Sequence, residues 1–335
     1  MTLSQRPLVL FCGGGSGGHL TPGLAVADEL CRGDDPPEVL FLTGDRLVER
    51  RIMGEESYLH RAFPLGSLRR TLTSWSSSRG FAGAFRVARD AARGRPTVVA
   101  GTGGYASVPG VLGAKSAGAA LVLLEVNATA GRATQVLSPW AQATFGGVPV
   151  RLPDLLPTAE PRTLLVLGGS QGAASLDRAM PDAAAALREA LRGWTVWHQC
   201  GTDPAAVAAG YAAAGIEAEV AAFFPDAVWR LARASVAVTR GGAVTLAEAE
   251  ALGMPTVVVP HPRVPGDHQT ANARRLATRL PLCRTVVDGG ELANDLAAAL
   301  RPWLIDPPRR ADSPGSTAAR EAAELIRGEL RRLAG

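Results

Sequence analysis

The sequence predicts an α/β protein built from two doubly wound, Rossmann-like domains that face each other across a cleft. Three observations carry that prediction. Short apolar runs alternate with helix-favouring segments along nearly the whole chain, which implies parallel sheets covered on both faces. Each half opens on the same succession of strand, glycine-rich turn and helix, at residues 8–30 and again at residues 162–191. Between the halves, residues 152–161 read LPDLLPTAEP, three prolines in ten residues with no period, which is a linker by composition.

The first domain is expected over residues 1–152. Residues 8–12 form a buried strand, residues 13–19 (GGGSGGH) a turn, and residues 20–30 a helix that tolerates Pro22 in its first turn. Residues 38–43, 97–101 and 120–124 read as further strands, with helices over 79–93 and 108–117 between them. The second domain is expected over residues 162–312: a strand at 162–167, a glycine turn at 168–172 and an alanine-rich helix at 173–191. Strands at 195–199, 235–239 and 256–260 follow, separated by helices. Beyond a Pro/Ser-rich break at 307–314, the tail (313–335) carries a half-exposed helix over 317–333 that can pack back on the first domain.

Size and composition set limits. At 335 residues and 47% hydrophobic, the chain can bury a core in each domain. Its net charge is +4 and Lys115 is the single lysine, so its cations are arginine forks suited to phosphates. Cys12, Cys31, Cys200 and Cys283 lie far apart, without metal-binding spacing, and read as buried small hydrophobes in a reducing compartment. No signal-peptide pattern and no run of eighteen apolar residues is present, so a cytoplasmic protein is expected.

The most informative stretch is residues 236–273. An apolar strand runs into Thr239-Arg240-Gly241-Gly242 and then into a helix, so N–H groups near Gly242 and Ala243 point at whatever lies above the strand end. Such a helix start suits a phosphate. Glu248 follows one or two turns into the helix, within reach of sugar hydroxyls. Asp267-His268-Gln269 leads a later helix, with Asn272 on its first turn. The competing interpretation is a capping box, Thr245-x-x-Glu248, serving the helix alone.

Gly13, Gly15 and Gly18 also match the dinucleotide fingerprint, which would make the chain an oxidoreductase; the acid it needs is best matched by Asp45, which comes late. His19, directly after the glycines, has no place in a dehydrogenase. It suits a transferase that deprotonates a hydroxyl, or else serves only to cap the helix or orient the loop. Tyr105, Glu125 and Asn127 follow further strand ends and would face the same crevice. His198 reads as structural, for want of a carboxylate at useful spacing; His261 stays open.

Six segments, GGGSGGHLTPGLAVA, GTGGYASVPG, GGSQGA, TVWHQCG, TRGGAVTLAEAEALGMP and DHQTANA, occur in an order and spacing that resemble the MurG family of peptidoglycan N-acetylglucosaminyltransferases over nearly the whole chain. The resemblance implies a GT-B fold with the acceptor on the N-terminal domain and UDP-GlcNAc mainly on the C-terminal one. It places Ser170 and the turn with Gly242, Ala243 and Thr245 on the donor diphosphate, with Arg240 close by and Gln171 also on the donor, and Glu248 on the ribose. Asn127, His268 and Gln269 would take the GlcNAc hydroxyls, with Arg151, Ser16, Gly17 and Gly18 also on the donor. Gly14, Gly15, Gly103, Gly104 and Tyr105 would line the acceptor site, with His19 as catalytic base and Glu125 next in line. The chain departs from the family pattern at Leu124 and Val126 beside Glu125, at His268, and at Gly147-Val148-Pro149-Val150-Arg151.

The implied reaction is inverting transfer of GlcNAc from UDP-GlcNAc to the 4-hydroxyl of undecaprenyl-diphosphate-linked N-acetylmuramoyl-pentapeptide. Another UDP-sugar glycosyltransferase, or a UDP-GlcNAc 2-epimerase, is the alternative within the fold. No cofactor, essential metal or nucleic acid is expected, since no DxD-like acidic pair stands where a metal–diphosphate bridge would form. Between Arg61 and Arg95 lie eight arginines and one acid, Asp90, interleaved with Phe63, Trp75, Phe81 and Phe85. With a polyprenyl acceptor, that segment suggests peripheral attachment at the cytoplasmic face of an anionic membrane.

Overall fold

The computed structural model describes residues 6–15, 17–33, 35–66, 74–153, 155, 157, 160, 162–169, 172–201, 203–262, 267–312 and 315–335. They fall into two units: Met1–Val150 with Ser316–Gly335, and Arg151–Gly315. The first contains β1 (Leu8–Gly13), β2 (Glu38–Gly44), β3 (Leu59–Phe63), β4 (Thr97–Gly103), β5 (Ala120–Leu124) and β6 (Ala143–Phe145). Its helices are α1 (Gly17–Cys31), α2 (Leu47–Gly54), α3 (Trp75–Ala92), α4 (Ser107–Ser116) and α5 (Arg132–Leu137). The second contains β7 (Thr163–Leu167), β8 (Thr195–Gln199), β9 (Ala218–Ala221), β10 (Val236–Thr239), β11 (Thr256–Val258) and β12 (Cys283–Thr285). Its helices are α6 (Ala174–Ala186), α7 (Pro204–Ala213), α8 (Ala227–Arg233), α9 (Ala243–Ala251), α10 (His268–Arg279) and α11 (Leu292–Ile305). A last helix, α12 (Ala318–Ala334), belongs to the first unit.

Both sheets are parallel throughout, in the orders β3-β2-β1-β4-β5-β6 and β12-β11-β10-β7-β8-β9. Counted from its own first strand, each has the doubly wound order whose ligand crevice lies where the winding reverses. That reversal falls between β1 and β4 in one unit and between β7 and β10 in the other.

Strand β1 shows why the runs are uniformly apolar. Val9 and Phe11 enter one core with Leu24 and Ile326, while Leu8, Leu10 and Cys12 enter the other with Ala88 and Val111. Phe11 stacks on Phe41 with ring centroids 4.9 Å apart. Each fully buried large apolar side chain contributes about 1.5–3 kcal/mol. Helix α12 completes this core through Ala322, Ala323 and Ile326, and Arg327 donates to the Glu29 carbonyl at 2.6 Å.

Some expectations are corrected. Helix α1 starts at Gly17, so His19 stands on a helical first turn rather than in the turn before it. Helix α3 begins at Trp75 and buries a stripe of small residues, Ser77, Gly80, Ala84, Ala88 and Ala92, leaving Phe81 and Phe85 half-buried. The small stripe permits close packing on α4: a Cβ on Gly113 would stand 2.1 Å from the Phe85 carbonyl oxygen. Cys31 is exposed and Cys283 half-buried, so only Cys12 and Cys200 behave as core hydrophobes. Strands β3, β6, β9 and β12, the outer strands of the two sheets, are additional to the expected set. Among the described residues no helix is long and apolar enough to cross a membrane.

Candidate functional site

In the first unit, the loops after β1 and β4 interlock at the winding reversal. Gly14 and Gly15 have φ of 154° and 97°, and Gly103 and Gly104 have φ of 99° and 72°, which only glycine adopts readily. A Cβ on Gly104 would meet the Gly14 carbonyl oxygen at 2.4 Å, and one on Gly103 would meet His19 Nδ1 at 2.9 Å. The two turns therefore close around the imidazole. His19 Nδ1 lies 3.1 Å from the Thr102 carbonyl oxygen. A carbonyl only accepts, so Nδ1 carries the proton and Nε2 is the basic nitrogen of the neutral ring. Tyr105 stands half-buried at the start of the α4 turn, its ring 6.4 Å from that of Phe81 on α3. Gly17 is buried and Gly18 half-buried at the start of α1.

Glu125 and Asn127 follow β5 and are joined to each other. Glu125 Oε1 accepts from Asn127 N at 3.0 Å and Nδ2 at 3.1 Å, and Oε2 accepts from Gly131 N at 2.8 Å. Burial alone would raise the Glu125 pKa, but the hydrogen bonds from Thr134, Gly131 and Asn127 outweigh it and hold the pKa below the ordinary carboxylate value. Such a carboxylate organises its loop; it is not poised to take a proton near neutral pH.

In the second unit, the Gly241–Gly242 turn leads from β10 into α9. Gln269 Oε1 accepts from Gly241 N at 3.1 Å and from His261 N at 2.8 Å, and Asn272 Nδ2 donates to the Gly241 carbonyl at 3.0 Å. A Cβ on Gly241 would sit 2.4 Å from the Gln269 carbonyl oxygen, so glycine is required there. Gln269 and Asn272 thus brace the turn from α10. Gly242 is the N-cap of α9 and has no side chain to cap it, so among the described residues the first-turn N–H groups, Ala243 and Thr245 among them, are available to a ligand.

Glu248 is 8% exposed, and burial pushes its pKa up to about 8. The capping-box alternative fails, because Thr245 is the third residue inside α9 and cannot be its N-cap. Arg240, expected beside a diphosphate, is already engaged: its guanidinium donates to Asp288 Oδ2 at 2.8 Å, to the Val259 carbonyl at 3.1 Å and to Ser175 Oγ at 2.5 Å. Ser175 in turn donates to Asp288 at 2.8 Å. The interaction holds the ends of β10 and β11 to the start of α6. His198 is structural for a reason opposite to the expected one: a carboxylate does reach it, Asp177 standing 3.4 Å from Nε2, with Tyr211 Oη at 3.0 Å from Nδ1. His268 opens α10 half-buried, and Arg151 is half-buried at the start of the unit. Ser16, Ser170 and Gln171 lie outside the described residues.

Two residues absent from the sequence-based set matter to this geometry. Asp288 follows β12, an outer strand with no strong pattern, so nothing local marked it. Glu49 on α2 accepts from Gly15 N and Gly44 N at 3.0 Å each. Its only local signal was an acid in the first turn of a short helix.

The family model for the glycosyltransferase family 28 N-terminal domain matches residues 9–145, and that for the C-terminal domain matches residues 163–327. The chain is 36% identical to a UDP-N-acetylglucosamine–N-acetylmuramyl-(pentapeptide) pyrophosphoryl-undecaprenol N-acetylglucosamine transferase of Acidithiobacillus ferrooxidans, covering 95% of this chain and 97% of that one. It is 35% identical to the enzyme of the same name from Aromatoleum aromaticum, covering 96% and 97%. A crystal structure of Acinetobacter baumannii MurG superposes with a TM-score of 0.68 at 26% identity, over 96% of this chain and 99% of that one. The calicheamicin glycosyltransferase CalG4 shares the fold at a TM-score of 0.59 and 16% identity, over 99% and 96%.

Proposed function

Because the chain belongs to glycosyltransferase family 28, among its pyrophosphoryl-undecaprenol N-acetylglucosamine transferases, we propose that it transfers GlcNAc from UDP-GlcNAc to the 4-hydroxyl of undecaprenyl-diphosphate-linked N-acetylmuramoyl-pentapeptide. This is a step of peptidoglycan synthesis. The acceptor oxygen attacks the anomeric carbon from the face opposite UDP, the bond from that carbon to the phosphate oxygen breaks, and the configuration inverts. The hydroxyl proton passes to His19 Nε2.

The observation that carries this reading is the Thr102–His19 hydrogen bond, which fixes the tautomer a general base needs. Charge gathers on the departing UDP, and the start of α9 supplies N–H groups and a helix dipole to receive it. Glu248 takes the ribose hydroxyls, and Ser170, Gln171 and Arg151 belong with the diphosphate. Asn127 and His268 are assigned to the sugar. Gln269 contributes through its hold on the Gly241 turn, and Arg240 through its pairing with Asp288, which keeps that turn in place. Release of UDP, measured with and without the lipid-linked acceptor, tests the assignment. Release that does not depend on acceptor, or conversion of UDP-GlcNAc to its 2-epimer, would overturn it.

A polyprenyl acceptor stays in the bilayer, so we also propose peripheral attachment of the first unit to the anionic cytoplasmic face of the membrane through α3. Trp75 at the start of that helix is 77% exposed with Arg79 6.0 Å from its ring, and Arg86, Arg89 and Arg93 are exposed along it. Phe81 links the helix to Tyr105 at the acceptor turn. Arg69 and Arg70 lie outside the described residues.

A further inference from the structure

We propose that Glu49 is a positioning residue for the acceptor half of the reaction: its buried carboxylate gathers three backbone N–H groups from two strand ends and so holds the glycine loop that flanks His19. The inference rests on the assignment of His19 as the base.

Glu49 is 1% exposed. Oε1 accepts from Gly15 N and Gly44 N at 3.0 Å each, and Oε2 accepts from Arg46 N at 3.2 Å. Arg46 completes the link by donating from Nη1 to the Gly15 carbonyl at 2.9 Å. The neighbouring backbone leaves space for the carboxylate. A Cβ on Gly14 would stand 2.0 Å from Oε1, and one on Gly44 would stand 2.6 Å from Oε2. A carboxylate is tolerated at such depth only where donors surround it, and here the donors are the loop itself.

The position inverts the logic of the dinucleotide fingerprint. There an acid after the second strand turns outward to a ribose. Asp45, the candidate for that role, instead lies 3.8 Å from Arg50, and the buried acid is Glu49, which points inward. Because Gly104 packs against the Gly14 carbonyl and Gly103 against the imidazole, displacement of Gly14–Gly15 moves the walls around His19.

Hydrogen exchange by mass spectrometry and transfer kinetics, both on the full chain, test this together. Glu49→Ala should exchange faster at residues 13–19 and 44–46 while the strands elsewhere keep their protection. Its kcat with lipid acceptor should fall about 10- to 100-fold, the loss expected for roughly an ångström of misplacement. UDP affinity should change by less than about threefold, under the worth of an ordinary hydrogen bond. Glu49→Gln keeps one acceptor oxygen for Gly15 and Gly44 and should recover most of the rate. If Glu49→Ala fails to fold, Glu49→Asp, one methylene short of the loop, replaces it with the same expected split. Unchanged exchange at the loop would overturn the clamp. Faster exchange with unchanged kcat would reduce Glu49 to a structural role. If the wild-type enzyme itself transfers nothing, the functional assignment fails, and the exchange data still judge the clamp.

Discussion

Replacing Glu248 should weaken the donor complex and, at alkaline pH, strengthen the fold. The carboxyl is buried, with a pKa pushed up from 4.5 to about 8 by desolvation. In the unfolded chain it ionises near its ordinary value. Below about pH 4.5 both states are protonated, and the folded state suffers nothing. As pH rises the unfolded chain releases the proton first, so stability is lost progressively until the folded group also ionises near pH 8. At about 1.4 kcal/mol per pH unit, the penalty above pH 8 is on the order of 3–5 kcal/mol. Glu248→Gln keeps the shape of the neutral acid and removes that penalty. Its melting temperature should lie only slightly above the wild type at pH 5 and well above it at pH 9, by about 2–4 °C per kcal/mol in a domain of this size. UDP-GlcNAc affinity of Glu248→Ala should fall by the worth of a hydrogen bond to a charged group, about 1.5–3 kcal/mol, or roughly 10- to 150-fold. Calorimetric titration at pH 9, where the folded carboxyl is ionised, and thermal melts at both pH values give the two numbers. A lower melting point at pH 9 with unchanged donor affinity would refute the reasoning and make Glu248 an element of the fold alone.

His19→Ala should leave the melting point nearly unchanged and cut kcat by ~10²-fold or more; an effect confined to the acceptor KM would make His19 a positioning group. Asp288→Ala strips a buried guanidinium of its partner and should cost about 3–5 kcal/mol in thermal unfolding of the second unit. Burial works against the Asp288 charge, but Arg240 and Ser175 outweigh it and hold the pKa below 3.8, so this stability is present above that value and is lost as pH falls through the lowered one. Melts of wild type and variant should therefore converge in acid. Co-sedimentation with anionic vesicles should exceed that with neutral ones, fall with salt, and weaken when Arg79, Arg86 and Arg89 become Gln, at about 1 kcal/mol per arginine. Equal binding to both lipids would exclude the α3 attachment.

The sequence by itself determined what depends on local pattern. The central strands β1, β2, β4, β5, β7, β8, β10 and β11 are covered on both faces, so their apolar runs are nearly continuous and announce themselves. Glycines followed directly by helix-forming residues marked the turns at Gly13, Gly103, Gly168 and Gly241, and with them the strand ends to which the proposed site belongs. The outer strands β3, β6, β9 and β12 carry short or mixed sequences such as LHRAF and AEVA, because one edge and part of each face meet water. Tertiary structure decided the partners. Arg240 reads as a phosphate ligand until Asp288, 48 residues away, is seen to neutralise it. Glu49 is merely an acid in the first turn of a short helix until the chain brings Gly15 from 34 residues away to its oxygen. Charge and glycine are legible along a chain, but which charge is matched from within depends on contacts between strand ends that no sequence period encodes.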